Sequence, residues 1–109
     1  TGEETRDFIF IDDLVNAIEL VINNSLFENE VVNIASGTSS KIKDIAKLYF
    51  QNLEKPLEYS FSNSQLSGSP TNWSANIEKL KSFGFEPENS LSNGVKKTSL
   101  WLQKKYPLE

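Results

Sequence analysis

Residues 5–15 place the tightest limits on the fold, because their hydrophobic pattern changes period partway along. Phe8, Phe10 and the neighbouring isoleucines are the aromatic and β-branched residues that strands favour. From Leu14 onward, apolar residues recur at helical spacing, at positions 14, 17, 18, 21 and 22. The change comes at Asp12 and Asp13, which we interpret as helix-capping residues rather than as a metal or acid/base pair. The segment therefore predicts a strand leading directly into a helix.

The rest of the chain shows the same two spacings of apolar residues, that of a strand and that of a helix. Residues 31–35 predict a short strand that is apolar on both faces, as in a covered parallel sheet, and residues 57–61 predict a half-exposed strand. One helix is predicted to begin at residue 42 and to end before Pro56. A second is predicted over residues 76–83, with Asn76 as its N-cap and Gly84 directly after its end, and a third is predicted from Ser90 onward. The prediction is one α/β domain, residues 1–109, with short parallel strands in the order βαβαβαα.

Composition narrows the range of functions. A net charge of −4 and a pI near 4.9 disfavour nucleic acid and anionic membrane surfaces as partners. No apolar run is long enough to span a membrane, and the absence of Cys favours a cytoplasmic protein. With no His and no Cys, we expect no self-contained active site and no metal site. With no Met, we expect a piece of a longer protein.

Three sequence blocks carry a resemblance to a known family. They are R-D-F-I-F-I-D-D-L at residues 6–14, V-V-N-I-A-S-G at residues 31–37, and W-S-A-N-I-E-K-L-K-S-F-G-F-E-P at residues 73–87. In this order and spacing, they resemble the NAD-dependent nucleotide-sugar epimerase/dehydratase family, the extended short-chain dehydrogenases. The resemblance covers nearly the whole chain and favours this family over an unrelated α/β domain.

The resemblance implies that the chain is the C-terminal, substrate-binding portion of a Rossmann-type enzyme. Such enzymes carry a Gly-rich phosphate loop and a Y-x-x-x-K pair, and this sequence contains neither. NAD would thus be bound by a missing N-terminal domain, and the chain alone would have no catalytic or cofactor-binding residue. The implied partners are a nucleotide sugar and the protein's own dinucleotide-binding domain, with a homodimer as a further candidate.

Arg6 is the leading candidate site residue, because it is the only arginine in the chain. In the family, the arginine of this motif reaches the substrate's diphosphate, which suits a planar guanidinium that binds phosphate oxygens bidentately. The alternative is a surface arginine paired with Asp7, Asp12 or Asp13.

Four further residues occupy positions that the resemblance associates with substrate. Ser40 and Lys41 lie where the family contacts the nucleotide base or ribose, although plain helix capping is the alternative. Asn72 falls near a position that touches the nucleotide, and we expect the neighbouring Trp73 to be a core residue. Gln65 lies in a loop where the family carries a second arginine, so the substrate can differ or bind more weakly. This departure also favours the competing interpretation, a non-catalytic α/β binding or interaction module.

Overall fold

A three-residue strand lies at the centre of a small sheet. The computed structural model describes residues 1–55, 57–64 and 68–107. Strand β1 (Thr5–Asp7) pairs antiparallel with β2 (Ser39–Lys41). On its other edge, β1 forms a parallel bridge between Thr5 and Asn72. β1 therefore lies between two extended segments that are distant from it in sequence.

Most of the regular secondary structure in the described residues is helical: α1 (Ile11–Asn24), α2 (Ile42–Gln51), α3 (Glu78–Ser82) and α4 (Leu91–Lys105). The predicted start of α4 is confirmed, because the Ser90 side chain accepts a hydrogen bond from the Asn93 backbone N–H at 3.3 Å. Helices α2 and α4 pack against each other. In the described part of the chain, none of the helices is long and apolar enough to cross a membrane.

The core is small and lies between α1, α3 and the segment at residues 31–35. Its buried apolar residues are Ala17, Ala35, Ile77, Leu80 and Phe85. Half-buried aliphatic side chains from α1 and from residues 32–34 pack around them. The turn after α3 has Gly84 at φ +89°, which confirms the predicted left-handed end of that helix.

The α/β class is confirmed, but the strand predictions need correction. The two strands assigned in the described residues pair antiparallel, whereas we predicted three short parallel strands. Residues 31–35 form no ladder, and Val31 is 82% exposed, so only one side of this segment is buried. Residues 57–61 also form no ladder; Tyr59 instead stacks on Phe50 of α2 with ring centroids 4.2 Å apart. Both segments have the side-chain pattern of a strand, but neither pairs with another backbone segment among residues 1–55, 57–64 and 68–107.

The predicted caps of the first three helices were also wrong. Helix α1 has Phe10 as its N-cap residue, α2 has Lys41 and α3 has Ile77, and none of the three caps through its side chain. Asn76, the predicted N-cap of α3, precedes the observed N-cap residue Ile77 by one position, although its side-chain oxygen accepts a hydrogen bond from the Glu78 N–H at 2.9 Å. The Asp13 carboxylate instead binds the loop before α4, as described below. Ser40 lies in β2, one residue before the N-cap of α2.

The molecule is flat, with extents of 49 × 35 × 18 Å and a radius of gyration of 16.5 Å. A compact domain of this length has a radius of about 13 Å. One face of α1 contributes to this open shape, because Ile11, Val15, Ile18 and Ile22 are all at least 42% exposed. These four residues, which we call the α1 apolar face, follow helical spacing and include Ile18 and Ile22 of the predicted apolar repeat.

Candidate functional site

Arg6 lies in the middle of a row of three side chains on one face of the small sheet. Ser40 is directly opposite Arg6 in the antiparallel ladder, so the two side chains point to the same face. On the other edge, Thr5 pairs with Asn72, which places Arg6 and Trp73 together at the next position. The structure thus brings Ser40 and Trp73 to either side of Arg6, and we call this set the Arg6 row.

The guanidinium of Arg6 is held by neutral groups. Its Nη1 donates to the Thr5 carbonyl oxygen at 2.7 Å, and its Nη2 donates to Ser69 Oγ at 3.2 Å. The Cζ atom lies 5.9 Å from the centroid of the Trp73 ring, within the range of a cation–π contact. Arg6 is therefore oriented by a carbonyl, a hydroxyl and an aromatic ring, and none of these groups cancels its charge.

The carboxylates proposed as alternative partners of Arg6 bind other groups. Asp13 accepts from the backbone N–H groups of Glu88 and Asn89 at 3.2 and 3.1 Å. Asp12 lies 3.9 Å from the ammonium of Lys97. Asp7 is bound to backbone N–H groups, as described next. Among the ion pairs of residues 1–55, 57–64 and 68–107, none includes Arg6.

Asp7 is a structural residue of the site that the sequence interpretation missed. Its Oδ1 accepts from the backbone N–H and the hydroxyl of Ser36 at 2.9 and 2.7 Å. Its Oδ2 accepts from the N–H groups of Gly37 at 3.1 Å and Ala75 at 3.4 Å. The carboxylate thereby ties β1 to the Ser36–Gly37 turn and to the segment that carries Trp73. A sequence signal was present, because a Ser-Gly turn exposes successive N–H groups that need an acceptor.

Lys41 is not brought to Arg6. It pairs with Thr5 in the ladder and so lies on the opposite face of the sheet from the Arg6 row. Its ammonium binds Glu3 Oε2 at 2.8 Å, and Lys43 binds the other oxygen of the same carboxylate. Hydrogen bonds from Lys41 and then Lys43 lower the pKa of Glu3 to about 2, and Glu3 in turn raises the pKa of Lys41. This cluster is exposed and holds the chain start against β2.

The other predicted site residues have different placements. Asn72 lies on the Lys41 side of the sheet, where its Oδ1 accepts from the Thr5 hydroxyl at 3.1 Å. Gln65 lies outside the described residues. Trp73, expected in the core, is 58% exposed, because its backbone joins the edge of β1 and directs the side chain to the surface beside Arg6.

A separate apolar cavity of about 410 Å³ lies between the Phe8–Phe10 segment, α2 and α4. Its lining includes Ile42, Ile45 and Tyr49 but no charged side chain from the described residues. Without charged donors this cavity is poorly suited to a phosphate group, so the Arg6 row is the better candidate anion site.

Known proteins resemble this chain in sequence and in backbone. It is 31% identical over 104 residues to CDP-abequose synthase of Salmonella typhimurium, covering 87% of this chain and 33% of that protein. It is 29% identical to GDP-L-fucose synthase 1 of Arabidopsis thaliana, covering 95% of this chain and 32% of the relative. Among solved structures, UDP-glucuronic acid 4-epimerase from Bacillus cereus, in complex with UDP-glucuronic acid and NAD, matches with a TM-score of 0.82. That match has 27% identity and covers 96% of this chain and 34% of the other.

The chain is a relative of the NAD-dependent nucleotide-sugar epimerases and dehydratases. It matches the C-terminal third of these relatives, so the predicted resemblance and the C-terminal position of the match are confirmed. The chain spans about a third of the length of the curated relatives it matches. No protein-family model matches it.

Proposed function

We propose that this chain is the substrate-binding region of an NAD-dependent nucleotide-sugar epimerase, dehydratase or related oxidoreductase, and that Arg6 binds the substrate's diphosphate. One observation carries the proposal. Arg6 is a partly buried cation that is oriented by neutral groups and pairs with no carboxylate among the described residues. A fixed, uncompensated guanidinium next to a hydroxyl is an arrangement that favours a phosphate ligand.

The donor geometry supports a diphosphate in particular. A guanidinium has five N–H donors, and contacts within the described residues use two of those on Arg6. The remaining donors can bind two anionic oxygens, and Ser40 on the same face adds a hydroxyl donor. The names of the relatives include CDP and GDP, and the matched structure holds a UDP sugar. These ligands share the diphosphate and differ in the base, so we assign Arg6 to the shared group.

The residues of this chain do not fit a dinucleotide. Gly37 is in the left-handed region at φ +76°, but its N–H is bound to the Asp7 carboxylate and faces an anion already. The sequence has no Gly-rich loop and no Y-x-x-x-K pair. We therefore assign NAD to the remainder of the protein and derive no hydride-transfer step from this region. In the same proposal the whole protein is cytoplasmic, and its dinucleotide-binding domain is the partner of this region.

A non-catalytic binding module is the second candidate. It is favoured by the absence of any basic residue between Lys55 and Lys79, where a second diphosphate contact would be expected. The two candidates differ in the rest of the protein. A Gly-rich phosphate loop and a Y-x-x-x-K pair in the full-length sequence, together with turnover of a nucleotide sugar, support the enzyme. The absence of both motifs supports the binding module.

The test is to replace Arg6 by Lys in the full-length protein. Lysine keeps the charge but loses the bidentate geometry, so we expect weaker binding of UDP, CDP and GDP. Loss of a charge-assisted hydrogen bond of roughly 1.5–3 kcal/mol corresponds to a decrease in affinity of about 10- to 150-fold, measured by titration calorimetry. The decrease should be similar for the three nucleotides, and NAD affinity should not change.

The matched control is Lys81→Gln, because Lys81 is an exposed cation that is paired with Glu78 and not with Arg6, Ser40 or Trp73. It should leave all four affinities unchanged. If Arg6→Lys binds the three nucleotides as tightly as the wild type and has the same melting temperature, the assignment of Arg6 to the diphosphate is wrong.

A further inference from the structure

Trp73 is a large aromatic side chain that the proposed binding of substrate does not yet explain. It is 58% exposed, although burying an indole is strongly favourable. Its backbone is fixed on two sides, since its N–H donates to the Thr5 carbonyl at 3.1 Å and its own carbonyl accepts from Ser39 Oγ at 3.2 Å. The fixed backbone thus places the indole at the surface beside Arg6.

The contact between Trp73 and Arg6 compensates the guanidinium for lost hydration without adding a negative charge. Arg6 is partly buried, and a partly buried cation needs compensation for lost hydration. A carboxylate would supply it, but it would also cancel the charge that an incoming phosphate needs. The face of an aromatic ring attracts a cation through its quadrupole and has no net charge. Trp73 can therefore stabilise the guanidinium and leave its full positive charge for a ligand.

We infer that Trp73 is the positioning residue for Arg6, holding the guanidinium against the sheet so that its free N–H donors face a diphosphate. This inference rests on the proposed function and extends it to a residue outside the predicted site. In this arrangement the guanidinium lies between the indole and the phosphate oxygens. Trp73 acts through Arg6 and does not stack on the nucleotide base.

The chain offers a matched control in Trp101. This residue is 56% exposed and lies 5.0 Å from the Lys105 ammonium, so its exposure and its cation contact are close to those of Trp73. It lies on α4, outside the sheet that carries the Arg6 row. A general effect of losing an exposed tryptophan should therefore appear equally in both positions.

The experiment compares Trp73→Leu, Trp73→Phe and Trp101→Leu in the full-length protein. Affinities for UDP and for inorganic pyrophosphate are measured by titration calorimetry. Trp73→Leu should lower the affinity for both ligands by about five-fold, the factor expected for a lost cation–π contact. Trp73→Phe keeps an aromatic face, so both affinities should fall by only about two-fold. Trp101→Leu should change neither affinity. A larger loss for UDP than for pyrophosphate would mean that the indole stacks on the base, and would overturn the inference.

A double-variant comparison separates positioning from a structural role. In an Arg6→Gln background, Trp73→Leu should have no further effect on either affinity, because there is no guanidinium left to position. An undiminished effect in that background contradicts the inference. If Arg6→Gln binds as well as the wild type, the proposed function itself fails. If Arg6→Gln weakens binding and Trp73→Leu does not, only the role of Trp73 is wrong.

Discussion

At the scale of single residues, Arg6 has no ion-pair partner among the described residues, because the nearby carboxylates are bound to backbone N–H groups or to a lysine. Asp7 directly follows Arg6 in sequence, yet it points away and binds the Ser36–Gly37 turn. The same residue therefore builds the site and leaves the arginine uncompensated. This division of roles between adjacent residues of opposite charge follows from strand geometry, which directs successive side chains to opposite faces.

Gly84 provides a test of local conformation at this scale. It has φ +89°, and a Cβ added there would meet no atom within 4 Å, so the cost of a side chain is conformational only. Gly84→Ala should lower the free energy of unfolding by about 1 kcal/mol. Gly37→Ala should lower it further, because its Cβ would come within 2.7 Å of the buried Ile77 side chain. Melting temperatures should therefore decrease from the wild type to Gly84→Ala and further to Gly37→Ala. Equal melting temperatures for Gly84→Ala and the wild type would contradict this prediction.

At the scale of elements, a single aspartate joins the start of α1 to the loop before α4. Asp13 is only 3% exposed, and its carboxylate accepts from two backbone N–H groups and from Asn89 Nδ2 at 3.0 Å. Asn89 also accepts from the Lys97 ammonium at 2.8 Å, which extends the contact along α4. The buried carboxylate is thus fully hydrogen-bonded and fixes the position of α4 relative to α1.

Asp13→Asn tests this connection with almost no change of shape. One oxygen becomes an amide that faces N–H donors, so at least one charge-assisted hydrogen bond is lost. We expect the free energy of unfolding to fall by about 1.5–3 kcal/mol, measured by urea denaturation. Asp12→Asn is the control, since Asp12 is exposed and only 3.9 Å from Lys97, and it should change stability by less than about 0.5 kcal/mol. Similar losses for both variants would show that burial of Asp13 is unimportant.

At the scale of the whole molecule, the flat shape leaves a large accessible surface that includes the α1 apolar face. The accessible area is 7894 Å², against about 6,100 Å² for a compact monomer of this mass. Exposed apolar side chains at helical spacing are typical of a surface that is covered by protein. This is the surface expected if the proposed dinucleotide-binding domain packs against the region.

The isolated 109-residue chain should therefore self-associate with increasing concentration, which light scattering can measure. Ile22→Lys places a charge on the α1 apolar face, where Ile22 is 59% exposed, and should reduce association without loss of core packing. Asn23→Lys adds the same charge at the next, also exposed position and should leave association unchanged. A wild-type chain that stays monomeric at high concentration would contradict the prediction.

The sequence by itself determined the elements that depend on neighbouring residues. The helical repeats of α1, α2 and α4, the Ser90 cap and the left-handed Gly84 were predicted correctly, because periodicity, capping and φ preferences are local. The three sequence blocks also indicated the resemblance to these relatives and the match to their C-terminal third. Arg6 was selected as a candidate because it is the only arginine and lies in a recognisable motif.

Only the tertiary structure decided which partners these residues have. Arg6 meets Ser69 across 63 residues of sequence, and Asp13 meets Asn89 across 76. The predicted capping role of Asp13 failed because the backbone N–H groups of Glu88 and Asn89 bind its carboxylate. Ser40 does not cap α2 because its backbone pairs with Arg6 in β2, one residue before the N-cap. The strand predicted at residues 31–35 failed because a ladder needs a second strand, which local pattern cannot supply. Side-chain pattern specifies which face is apolar, whereas long-range packing specifies what lies against it.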